Sequence, residues 1–149
     1  MPQPQQKTSF TITLIYAALL FSTIVYLIVA FMLSRTGWKP LIDPALAQVL
    51  MGIFLALSLI DVMFVSWLKK KSFNEDISGI QAGDSMRKFI VSKSVVIFAL
   101  CEIPALLGLT IFFLSGNLIM AIVFWTISLI AFLVARPPKE ILDKADSVP

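Results

Sequence analysis

Three ionisable side chains, Asp61, Lys93 and Glu102, stand inside long apolar runs of this 149-residue chain. A charge at the middle of a bilayer costs at least about 2.5–3.5 kcal/mol on insertion scales, so each of the three needs a physical reason to be there. Asp61 falls seven positions before Leu68, near the end of one apolar run, and Lys93 lies four positions past Phe89, near the start of the next. At 1.5 Å per helical residue their depths differ by only about 4–5 Å, so neighbouring helices would let them form an intramembrane ion pair. Asp61 bonded to a hydroxyl such as Ser58, or placed on a polar pathway, remains the alternative.

Glu102 lies deeper, roughly 20 Å along its run. Nine steps of 100° separate it from Lys93, which puts the two on opposite faces of one helix. Phe98, Ala99, Ala105, Leu106 and Leu109 share its face. Small residues beside it, Ala99, Cys101, Ala105 and Gly108, suit close approach of another helix, with Ala99, Ala105 and Gly108 as the expected packing face. Pro104 lacks an N–H and frees the carbonyl of Leu100, a polar group within reach of Glu102. A carboxyl without a cation in hydrocarbon keeps its proton rather than bury a charge. That neutral state serves a proton- or ion-binding site and a simple interhelical hydrogen bond equally well.

The remaining inventory is spare. The chain has no histidine, which removes imidazole-based acid–base chemistry and His-ligated metals. Cys101 is the only cysteine, so no intramolecular disulfide can form. No nucleophile–base pair, phosphate-cradling glycine loop or metal-ligand spacing is present, so no catalytic residue, metal site or cofactor is expected, and the chain is not read as an enzyme. Hydroxyls in the apolar runs, Ser22 among them, are expected to bond their own preceding turn. Tyr16 and Tyr26 are expected to pack or to sit at interfaces.

These residues need helices to position them, and the sequence supplies four. Apolar residues make up 58% of the chain and charged ones 14%, against about 45–50% and 25% in soluble domains. Spans of roughly 20 apolar residues are expected at about 10–33, 45–68, 89–115 and 118–135, with a cytoplasmic loop at 69–88. The first is too long for a signal h-region and reads as a retained span. Met1–Gln6, rich in Pro and Gln, is expected to be disordered. Asp43 before Pro44 is an N-cap followed by proline at the first helical position. Lys69, Lys70 and Lys71 are expected to stop the second span, and Gly79 and Gly83 to break the polar stretch after it. Asp84 is expected to cap the third. Gly116 and Asn117 leave so short a connection that the third and fourth helices should form a tight antiparallel hairpin.

About nine Lys and Arg flank one side of these spans, counting Lys7, Lys69–Lys71, Arg87, Lys88, Arg136, Lys139 and Lys144, against Arg35 and Lys39 on the other. The positive-inside rule then puts both termini in the cytoplasm. Basic clusters at span ends are topology signals, so no nucleic-acid partner is expected. The expected partners are the lipid bilayer and either further copies of the chain or a membrane complex. Size and style suggest a bacterial inner membrane.

The segment Ala99-Leu100-Cys101-Glu102-Ile103-Pro104-Ala105-Leu106-Leu107-Gly108-Leu109 resembles the ion-binding helix of rotary ATPase proteolipid (ring) subunits, in which a carboxylate stands among small residues. That resemblance implies a proton- or ion-binding role for Glu102 within an oligomer. The same Glu-Ile-Pro helix and the closing Arg-Pro-Pro also resemble small four-span bacterial membrane proteins of unassigned function. The expected fold is an all-α, polytopic four-helix transmembrane bundle forming one domain, 1–149. The expected role is that of a structural or accessory membrane subunit packing through the Glu102 face, with the ion-binding subunit as the alternative.

Overall fold

A computed structural model describes residues 8–75 and 84–137 of the chain. The expectations for the first residues, for Gly79 and Gly83, and for Lys7, Lys139 and Lys144 lie outside these. Four helices run in the order α1 (Thr8–Arg35), α2 (Pro44–Lys70), α3 (Asp84–Ser115) and α4 (Leu118–Ala135). There is no strand among the described residues. All four helices are long and apolar enough to cross a membrane.

Local chemistry sets the helix ends. Asp43 accepts a hydrogen bond from the Ala45 N–H at 2.8 Å, with Pro44 at the first position of α2. Asn117 caps α4 by accepting from Met120 at 3.2 Å, and Gly116 takes a positive φ of 68° that a Cβ would disfavour. At its other end α2 stops among the three lysines, at Lys70. The chain continues through Lys70 into a π-helical turn, Lys71–Glu75, because Ser72 and Phe73 are buried against the bundle. Lys69 meanwhile turns its ammonium to the Val134 carbonyl at the end of α4, 2.7 Å away.

α3 is the central helix and packs against the other three, most extensively against α4. Gly108 makes this approach possible, since a Cβ there would stand 2.6 Å from the Phe124 Cβ. Near the Lys69 end, Ile12, Phe73, Met86, Ile90 and Ala135 share one core. Near the other end, Ala30, Phe112 and Ala121 form a second. The Trp38 indole donates to the Phe113 carbonyl at 3.0 Å and sets its ring edge-on to Phe113, tying the first loop to α3.

The outward surface is apolar almost throughout. Phe21, Met32, Ile60, Met63, Ile119 and Leu133 are among the many large apolar side chains left exposed. A water-soluble bundle hides such residues, whereas hydrocarbon accepts them without cost.

Candidate functional site

Ser22 and Tyr26 are four residues apart, hence on one face of α1, and that face meets α3 at Glu102. The Tyr26 hydroxyl donates to Glu102 Oε1 at 2.6 Å. The Ser22 hydroxyl makes a short contact with the same oxygen and also lies 2.7 Å from the Leu19 carbonyl. Glu102 Oε2 makes no hydrogen bond to a described residue and is not sealed, and Glu102 as a whole is only partly buried. Ser22 thus meets its own preceding turn, as expected, and the carboxyl as well, while Tyr26, expected to pack or to sit at an interface, donates to the carboxyl. The available signal was their spacing: a hydroxyl and a phenol four apart, hence on one face, near the middle of a long membrane-spanning helix. The Leu100 carbonyl freed by Pro104 is not the partner of Glu102.

A layer of other polar groups stands at the same height. On α4, Ser128 donates to the Cys101 carbonyl at 2.6 Å, three residues before Pro104 interrupts the backbone ladder of α3. On α2, Asp61 lies eight residues before Lys69, whose ammonium meets Val134 six residues past Ser128, and so comes near the same height. Glu102 faces α1, while its neighbour Cys101 is wholly buried. The layer spans all four helices.

The expected ion pair is not made. Asp61 Oδ2 is buried and has no hydrogen-bond partner. Lys93 instead sets its ammonium 5.3 Å from the centre of the Phe89 ring, one turn back on its own helix. The physical reason lies in depth. Lys69 of α2 meets Val134 and Ser128 meets Cys101, so Asp61, eight residues before Lys69, comes near the height of Cys101, which is eight residues or about 12 Å further along α3 than Lys93.

The expected packing face is also corrected in part. Ala105 and Gly108 are buried, but Ala99 is exposed. Ala99 and Gly108 are nine residues apart, which places them on opposite sides of α3, so one partner helix cannot touch both. Ala105 faces α1 and α4, lining with Tyr26, Ala30, Ala121 and Trp125 a cavity of about 10 Å³.

On the Lys69 side of the layer three rings close the bundle. Tyr16, Phe98 and Phe132, from α1, α3 and α4, stand edge-to-face or stacked with centroids 5.2, 5.6 and 6.4 Å apart. Phe98 and Phe132 are at most 1% exposed. Phe98 precedes Glu102 by one helical turn, so the rings lie between the carboxyl and that end of the molecule. On the other side the small cavity abuts Tyr26, and the Trp125 indole N–H, also in its lining, is buried without a hydrogen-bond partner.

Four apolar helices, an apolar exterior and polar groups turned inward have the architecture of a multi-pass α-helical membrane protein. No family model, no curated protein and no solved structure matches the chain.

Proposed function

We propose that the protein is a non-catalytic membrane subunit, structural or accessory, in which Glu102 locks α1 to the α3–α4 hairpin. The observation that carries this reading is the convergence of Ser22 and Tyr26 on Glu102 Oε1. One hydroxyl proton on Ser22 cannot serve both the Leu19 carbonyl and Oε1. Tyr26 donates to Oε1, and the Ser22 hydroxyl, which lies beside both acceptors, donates to Oε1 or to the Leu19 carbonyl. Both hydroxyl donors then have an acceptor, as a polar group in hydrocarbon requires. The ring plug of Tyr16, Phe98 and Phe132 supports a static role, because it separates the carboxyl from the basic end.

Lys and Arg are concentrated at the end where α2 finishes and α3 begins, which supports a cytoplasmic placement of that end and of both termini. A bacterial plasma membrane fits this asymmetry. Partners are further copies of the chain or a larger membrane complex, reached through the apolar outer faces of α1 and α2.

The test is a pair of substitutions. Glu102→Gln keeps the size of the side chain and a carbonyl oxygen at the Oε1 position that accepts from Tyr26, while the Ser22 hydroxyl keeps the Leu19 carbonyl as an acceptor, so stability and assembly stay near wild type. Glu102→Leu removes both bonds and weakens assembly. A Gln variant that assembles normally yet abolishes an ion flux seen with wild type would replace this reading with another.

That other reading, a proton- or ion-binding subunit with Glu102 as its carboxylate, draws on one observation. Oε2 is neither bonded nor sealed, and a small cavity reaches Tyr26 from the side away from the rings. Carbodiimide labelling followed by mass spectrometry distinguishes the two. Labelling of Glu102 that rising pH or Na⁺ suppresses supports ion exchange, and inertness at every pH supports the lock.

A further inference from the structure

The end of α4 is bracketed by two cations. Lys69 reaches across from α2 to donate to the Val134 carbonyl, which uses one of its three N–H donors and leaves two. Arg136 follows Val134 by two residues, so their Cα atoms are no more than about 7 Å apart. Its guanidinium lies 5.4 Å from the centre of the Tyr16 ring, a contact that uses none of its N–H donors in a hydrogen bond to a described residue. Arg136 is exposed and donates to no described residue. Lys70 and Lys71 add charge at the same end, with Lys71 held 5.1 Å from the Trp67 ring. The opposite end offers only Arg35 and Lys39.

What lies beside this pair identifies its occupant. On α4, Leu133 is 67% and Ile130 50% exposed, about one and under two turns before Arg136. A phosphate held by Lys69 and Arg136 would therefore carry its apolar chains along an open strip of α4. A free anion has no use for that strip, whereas a phospholipid matches both parts.

We propose that Lys69 and Arg136 form a headgroup site for an anionic phospholipid of the surrounding leaflet, with its acyl chain along Ile130 and Leu133. The site is independent of Glu102 and survives either reading of that residue. Lys69 thus joins the ends of α2 and α4 and also presents charge to the lipid, so lipid composition would act on how these two helices are held together.

The test uses the full chain in detergent and native mass spectrometry with added phosphatidylglycerol or phosphatidylcholine. Wild type should retain phosphatidylglycerol preferentially, and the preference should fall as NaCl rises. Lys69→Gln, which removes the charge and keeps an N–H donor, and Arg136→Gln should each weaken retention by roughly fivefold. Arg35→Gln with Lys39→Gln should leave it unchanged. Equal retention of the two lipids, a preference indifferent to salt, or the same loss from the Arg35 and Lys39 changes would overturn the proposal. So would displacement of phosphatidylglycerol by inorganic phosphate at millimolar concentration, which would mark the pair as a free-anion site. The salt series on wild type needs no variant, so misfolding of a variant would not rescue a failed preference.

Discussion

The Tyr26 hydroxyl and Glu102 Oε1, 76 positions apart in the chain, stand 2.6 Å from each other across the α1–α3 contact. Removing the hydroxyl while keeping the ring isolates that bond. Tyr26→Phe should destabilise the bundle by about 0.6–1.7 kcal/mol, the range for hydrogen bonds between membrane helices. Reversible unfolding by SDS from mixed micelles would measure it. A variant as stable as wild type would show that the bond contributes nothing.

The glycines of α2 and α3 should respond in opposite directions. At Gly108 an added Cβ would meet Phe124 Cβ at 2.6 Å and the Ala121 carbonyl at 3.2 Å, so α3 and α4 must separate. Gly108→Ala should cost about 1–3 kcal/mol by overpacking. At Gly52 nothing lies within 4 Å. Gly52→Ala should therefore be neutral or stabilising by up to about 1 kcal/mol, through helix propensity alone. The same SDS titration reads both, and a reversed order would contradict this packing.

Asp61 makes the converse case. Its Oδ2 is buried and unpaired, and an unsatisfied polar group of this kind costs about 1–3 kcal/mol. Asp61→Leu should leave stability unchanged or raise it. A large loss would mean that Asp61 has a partner in the membrane, such as a second copy of the chain.

How much of this the sequence could show depends on the range of the interactions. The four helices were legible because each is a long apolar run, and the start of α2 because Asp43 and Pro44 act on their own neighbours. Glu102 was legible as an outlier in hydrocarbon. Its partners were not, because Ser22 and Tyr26 acquire their role only when α1 docks, and each alone resembles an ordinary hydroxyl in an apolar helix. The Asp61–Lys93 pair failed for the same reason: depth counted from span ends does not fix the register of two helices. Ala99 is a different kind of error, since its spacing from Gly108 already placed the two on opposite sides of α3.

The central claim is that the Glu102 carboxyl joins α1 to α3 through its bond with Tyr26, and a double-mutant cycle tests it most directly. Tyr26→Phe, Glu102→Leu and the double variant would be unfolded under identical conditions. The lock predicts that the cost of Tyr26→Phe, about 0.6–1.7 kcal/mol in wild type, disappears in the Glu102→Leu background. Strictly additive costs would mean that the two residues do not interact and would contradict the lock.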